Sequence, residues 1–394
     1  YIVLTFKIRK KMPSTTKPKF HAFVYGTIGS RTEIEKGMAG KDEDAYQRML
    51  YNLEQYVRIC DEAGFAGFGH PEHHLQIEGL EVTGSPGLLS MFIGQHSKRL
   101  EVNVFGYVLN THNPLRVAED VTTLDHMLRG RLNIAFVRGY QHRWFSNYVA
   151  VPGGVSAVGP WNKGGETDRA NRRAFEEAVS IIKMAWAQDT FSFSGEFWKF
   201  PADGADKNPH QMDAYTRYGE GVTRDMIIEA IGIAPRPFQK PHPPLYAGFT
   251  HSMQSVRYWA RENGKPICLL LDRDLYNGLT AAYREEAAKS GRTVIRGTEI
   301  ALGGQLVITR DKVETEQILK DATWFWNTWG VPFGLGSPEM LVGDVDYVSR
   351  KIEYALETLG TDEMFFLIGD GLLPHETVTR TLEEFGSKII PRFV

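Results

Sequence analysis

The sequence predicts an α/β protein, a (β/α)8 TIM barrel with long insertions at the C-terminal face of its strands. Eight short apolar runs begin near residues 20, 65, 100, 132, 245, 266, 299 and 363, and helical periods separate them. That alternation builds parallel βα units. The 394 residues suit one barrel with insertions, a single domain over 12–394.

Phe20-His21-Ala22-Phe23-Val24-Tyr25 is β-rich and opens the series. Tyr46, Met49, Leu50, Leu53, Tyr56, Val57 and Cys60 then recur at helical spacing up to Gly64, a helix-ending residue. Phe65-Ala66-Gly67-Phe68-Gly69 is the second strand. Pro86 opens a helix through His96, residues 100–109 form a near-continuous apolar strand, and Asn113-Pro114 starts a helix that ends near Gly130. After a fourth strand at 132–137, residues 139–167 are too long for a connector and carry Trp144, Tyr148 and Trp161, so they cover something. A helix over 168–186 leads to two alternating runs around a turn, a hairpin over 191–200. A second, Pro-rich insertion spans 201–244. Strands at 245–248, 266–271, 299–308 and 363–368 complete the eight, with helices at 252–263, 275–289, 312–329, 345–359 and 375–390.

Hydrophobic content of 42% and charged content of 24% are those of a globular protein with a large core. The formal net charge of −3 supplies no basic field for nucleic acid. No apolar run is long enough to cross a bilayer. Two cysteines, Cys60 and Cys268, read as buried small hydrophobes, and without a disulfide framework a reducing cytoplasmic compartment is the default. Residues 1–11 are basic and lack an initiator Met; they read as tag- or fusion-derived, with the native start near Met12.

The densest chemistry is His70-Pro71-Glu72-His73-His74, directly after the second strand. Three imidazoles and a carboxylate at a strand end must each find a hydrogen bond, a metal or a ligand. A solvated loop tip is the alternative. A metal hydrolase would need a second His/Asp cluster on other strand ends, and the sequence shows none, so no metal is assigned.

Glu72-His73-His74-Leu75, Asn113-Pro114-Leu115-Arg116-Val117-Ala118-Glu119-Asp120, Leu124-Asp125, Gly130-Arg131-Leu132 and Arg138-Gly139, in this order and spacing, resemble the bacterial luciferase-like flavin monooxygenases. The similarity runs from about Phe20 to Phe393. It implies reduced FMN (FMNH2) bound at the C-terminal face and delivered by a separate flavin reductase. It also implies O2 activated as a C4a-peroxyflavin, a small organic substrate, and a homodimer through the early helices.

Residue by residue, the resemblance implies that His73 is the catalytic histidine, with Glu72 and His74 in support; rim contacts are the alternative for all three. Arg138 would bind the flavin phosphate, or else make a rim salt bridge. Arg172 falls at the second phosphate arginine, with Arg169 and Arg173 as neighbours that could replace it. Gly248, Thr250, Ser252 and Ser255 form a hydroxyl-rich turn whose helix N-terminus favours an anion, although Thr250 or Ser252 could simply cap the helix. The bulge under the flavin ring, with its non-prolyl cis peptide, falls at Phe105-Gly106. Asn110 would contact the flavin or cap the next helix, and Tyr140, His142 and Trp144 would line the substrate side or anchor the loop. Val137 stands where the family has a reactive cysteine. A deazaflavin-dependent oxidoreductase transferring hydride and a non-catalytic flavin binder are the competing readings.

Overall fold

The computed structural model describes residues 17–204, 213–249, 251–369 and 372–394; residues 1–11 and Thr250 lie outside the described residues. The strands of its nine-stranded sheet are β1 Lys19–Phe23, β2 Gly67–His70, β3 Glu101–Val108, β4 Leu132–Val137, β5 Leu245–Ala247, β6 Lys265–Cys268, β7 Ala301–Ile308, β8 Met340–Gly343 and β9 Glu363–Leu367, and the expected hairpin pairs Phe193–Ser194 with Lys199–Phe200 apart from it. All pairings among them are parallel, and the ring β1-β2-β3-β4-β5-β6-β7-β9 closes on itself. The eight expected strands are the eight of the ring, so the fold is a (β/α)8 barrel. β8 is additional: it pairs with the upper half of β7, from Met340 opposite Gln305 to Gly343 opposite Ile308.

Alternation along each strand separates two cores. In β1, Phe20 and Ala22 join the outer core under the helices, whereas Phe23 joins an inner cluster with Phe105, Tyr246, Ile267 and Phe365. β3 breaks this rhythm once. Its register with β4 shifts between Phe105 and Tyr107, and Gly106 sits at φ 149. The extra residue sends Tyr107 outward and brings Val108 onto the inner side, a change of face that a one-residue bulge produces. The expected bulge is therefore present, but the cis peptides among the described residues are all X-Pro, so Phe105-Gly106 is trans. Glycine accommodates the bulge through φ instead.

Helix starts follow their local chemistry. The Asp42 side chain caps the Glu43–Ala63 helix at Ala45 N–H, and Gly64 ends it at φ 88. Asn113 caps Leu115 N–H ahead of Pro114 at the first helical position. Three helices expected as continuous end in π-turns, at Trp326–Gly330, Tyr354–Leu359 and Phe385–Ile389. Both cysteines are buried and unpaired. Among the described residues no helix is long and apolar enough to cross a membrane.

The described residues of the two insertions lie at opposite ends of the barrel, which corrects the placement of both at the C-terminal face. Residues 139–167 follow β4 directly and belong to that face. Residues 201–244 follow the Glu166–Ala187 helix, which has already returned the chain to the other end. There Gln239 donates to the carbonyl of Leu132, the first residue of β4, and to Asp125.

Candidate active site

A cavity of about 240 Å³ opens at the C-terminal end of the strands. Its walls come from β2 and its sequel (Pro71, Glu72, His73), the β3 bulge (Phe105, Gly106, Val108), the end of β4 (Val137, Arg138, Gly139, Tyr140), Trp144, Gly248-Phe249 and Leu335. A Cβ at Gly106 would point at Val137 Cγ2 (3.5 Å) and Glu72 N (3.7 Å), so glycine keeps that wall open.

The histidine cluster divides by partner. His70 is fully buried, its Nδ1–H donating to the Pro71 carbonyl (2.9 Å) and its Nε2 3.0 Å from Ser90 Oγ; burial pushes its pKa down to about 4. Glu72 is also buried. Burial alone would raise its carboxyl, but His112 (2.6 Å), His74 (2.8 Å) and the Val108 N–H (2.8 Å) hold it at about 2. His112 answers it: burial disfavours its charge, yet Glu72 holds its pKa above the usual value. His74 is stacked on Tyr148 with ring centroids 4.5 Å apart. Glu72 and His74 thus tie the β2 sequel to the end of β3.

His73 differs. Its Nε2 lies 3.1 Å from the Tyr140 hydroxyl and 3.7 Å from Glu81 Oε2, and its buried Nδ1 has no partner. Burial lowers its pKa, with Glu81 and Glu72 opposing and His74 assisting. The ring lines the cavity as a neutral base with one nitrogen uncommitted.

At the rim, Arg138 donates to Asp168 Oδ1 at 2.6 Å. Arg172 is within electrostatic reach of Arg138, and burial and that like charge both work against its ionised form. Its ion pair is weak, to Glu176 at 3.9 Å. Arg169 pairs with Glu166, and Arg173 with Glu166 and Glu196, on the exposed side of the helix. Two partly buried guanidinium groups sharing few carboxylates make a seat for a further anion.

The other expected residues scatter. Asn110 is buried in the turn after β3, its Nδ2 donating to the Asn171 carbonyl at 3.0 Å. Ser252 is the N-cap of the Met253–Glu262 helix without a side-chain cap bond, and Ser255 lies within that helix; neither lines the cavity. Tyr140 and Trp144 do line it, but His142 does not: it is exposed at the start of the His142–Tyr148 helix, against Ser146. The segment was expected to be loop. As a helix it turns His142 and Trp144, two residues apart, to different faces.

Sequence reasoning missed Glu81, Asp168, Gln141 and Trp329. Glu81 Oε2 accepts from Gln141 Nε2 (2.6 Å) and from Trp329 Nε1 (2.7 Å), a partner 248 residues away. Its backbone φ of 57 is the kind of local feature a sequence does not display.

One further group could hold a metal among the described residues: His21, Glu101 and Glu363, at the opposite end of the barrel. Ammonium groups already meet its carboxylates, Lys265 on Glu363 (2.7 Å) and Lys19 on Glu101 (2.6 Å).

A model of the family described as luciferase-like monooxygenase matches residues 35–332. The FMNH2-dependent dimethylsulfone monooxygenase of Pseudomonas putida is 29% identical over 392 residues, covering 88% of this chain and 89% of that one. Among solved structures, the oxygenating constituent of 3,6-diketocamphane monooxygenase from Pseudomonas putida, in complex with FMN, superposes with a TM-score of 0.70. It is 15% identical and covers 96% of this chain and 99% of that one. An F420-dependent secondary alcohol dehydrogenase, in complex with an F420-acetone adduct, superposes at 0.64 with 15% identity, covering 96% and 100%.

Proposed function

The chain belongs to the luciferase-like monooxygenase family, and on that premise we propose that it is a two-component monooxygenase that takes reduced FMN from a separate flavin reductase and uses O2 to oxygenate a small organic substrate. The observation that carries this reading is an apolar cavity lined by Arg138, with the Arg172 guanidinium within electrostatic reach of it, and by His73, whose buried Nδ1 has no partner.

The residues present fit a flavin. A phosphate would take the place Asp168 now has on Arg138 and complete the weakly paired Arg172, with the Gly248 turn closing over it. Thr250, Ser252 or Ser255 would donate if that turn tightens on the anion. Phe105 and Gly106 offer a flat wall to the ring, and Asn110 buttresses it from the β3 turn. Reduced FMN would supply the electrons with which O2 is activated. His73 accepts and returns the proton at its Nδ1, Glu72 and His74 hold the backbone that carries it, and Tyr140 and Trp144 exclude water on the substrate side.

The 29% identity over nearly the whole chain to a protein named for FMNH2 supports FMN over a deazaflavin. Exposed Tyr51 and Leu88 on the two early helices support a homodimer through that face. Anaerobic titration of the flavin-free protein with reduced FMN, oxidised FMN and a reduced deazaflavin, followed by admission of O2, tests the function. Tightest binding of reduced FMN, then oxygen-dependent oxidation slower than that of free reduced FMN, is expected. Binding of the deazaflavin alone would replace this reading with hydride transfer.

A further inference from the structure

Glu81 is 1% exposed and sits in the stretch that folds back onto the segment after β1. Val82 N–H donates to the Gly26 carbonyl (2.9 Å), and His73 and Thr83 form an antiparallel bridge. Its carboxylate is thereby fixed beside the imidazole. Among the described residues the only basic side chain within ion-pair distance of Glu81 is His73, at 3.7 Å from Nε2. A buried carboxylate with a single basic partner couples its charge to that partner.

The proton positions follow from the amide of Gln141. Its Oε1 accepts from Trp144 Nε1 (2.8 Å), so its Nε2 faces Glu81 Oε2 (2.6 Å) and the Tyr140 hydroxyl (3.3 Å). Tyr140 O therefore accepts from Gln141, and its own proton can go to His73 Nε2 or to Glu81. The first choice would put the neutral imidazole's proton on Nδ1, a buried N–H with no acceptor. The second puts it on Nε2, facing the carboxylate and the phenol oxygen, and leaves a bare lone pair on Nδ1. Buried donors without acceptors are rarer than under-used acceptors, and the carboxylate draws the proton to its own side.

We propose that Glu81 is a positioning residue for His73: directly and through Tyr140 it holds the imidazole proton on Nε2, so that Nδ1 is the ring's uncommitted proton acceptor. When Nδ1 takes up a proton, Nε2 keeps its own, and the imidazolium formed is paired with Glu81. The other charged or titratable groups facing His73 are Glu72, which also favours the cation, His74, which opposes it, and Tyr140, whose phenol burial and Glu81 keep protonated. The proposal rests on the reading of His73 as the proton-handling group.

The test needs no flavin. In ¹⁵N-labelled flavin-free protein, with His73 assigned by loss of its signals in His73→Gln, the neutral ring is expected as the Nε2–H tautomer. Glu81→Gln should lose that bias and lower the proton affinity of His73 about tenfold. Trp329→Phe removes a donor to Glu81 but no charge, and should change that affinity by less than about twofold. The acid limb of turnover should move with the NMR titration in Glu81→Gln, while the KM for reduced FMN stays. An Nδ1–H tautomer in the wild type, or equal shifts in Glu81→Gln and Trp329→Phe, would overturn the proposal. If Glu81→Gln does not fold, the wild-type tautomer decides alone. An Nε2–H tautomer in a protein that fails to bind reduced FMN would sink the function and leave the assignment of Glu81 intact.

Discussion

The two ends of the barrel use similar residues to opposite effect. At the N-terminal end, His21 Nε2 meets Glu363 Oε1 (2.8 Å), Tyr246 donates to the same carboxylate (2.9 Å), and Lys265 binds both Glu363 (2.7 Å) and Asp362 (2.9 Å). Asn103 and Asn133 join His21 to Glu101 through three more bonds. Burial alone would raise the Glu363 carboxyl, but Lys265 and His21 hold it well below the usual range. Each carboxylate there has an ammonium partner, Lys265 for Glu363 and Asp362 and Lys19 for Glu101. At the C-terminal end, His73 Nδ1 is without a partner and Arg172 is poorly paired. A closed polar network stabilises one arrangement of strands; an open one waits for a ligand.

Breaking the closed end should cost the most stability. Lys265→Met leaves Glu363 and Asp362 without their ammonium group, and chemical denaturation should show a loss of about 3 kcal/mol or more, with turnover per folded molecule little changed. A loss of activity out of proportion to folding would blur the distinction between the ends.

The open end contains one closed island, Glu72 with His74 and His112, and pH separates it. Glu72 has a folded pKa of about 2 against an ordinary 4.5. Its folded value is the lower one, so its contribution is present above pH 4.5 and is lost as pH falls towards 2. Unfolding free energies from urea titrations between pH 2 and 5 should fall less steeply in Glu72→Gln than in the wild type, by about 3 kcal/mol across that window.

Substitutions in the open part should change function and spare the fold. His73→Ala should slow turnover about 10²-fold while reduced-FMN affinity stays within about tenfold and the unfolding midpoint holds. Arg138→Ala and Arg172→Met should each weaken FMN about tenfold, roughly 1.4 kcal/mol, whereas Asp168→Asn should strengthen it a few-fold by removing the competing carboxylate; equilibrium titration reads all three. At the small end, His142→Ala should change kcat/KM by less than about twofold, because the side chain is exposed and outside the cavity.

The barrel was legible because its strands and helices carry regular apolar spacings bounded by glycine and proline. β8 was not: Met340-Leu341-Val342-Gly343 is four residues long, and what fixes it is pairing with β7. The bulge could be anticipated at Phe105-Gly106, but whether φ or ω would absorb it depends on the packed strand. Of the site, the motif residues His73 and Arg138 could be read from the chain, and Tyr140 and Trp144 from their loop. Glu81 and Asp168 could not, since their partners Trp329 and Arg138 lie 248 and 30 positions away and neither acid sits in a recognisable pattern. His142 was misplaced because a loop reading ignores helical facing.

The central claim, that the open end is the seat of the flavin, is tested most directly by determining the structure with FMN bound. The account predicts the phosphate between Arg138 and Arg172, Asp168 displaced from Arg138, and the ring against the Phe105-Gly106 bulge near His73. A phosphate remote from both arginine side chains, or FMN bound elsewhere on the barrel, would contradict it.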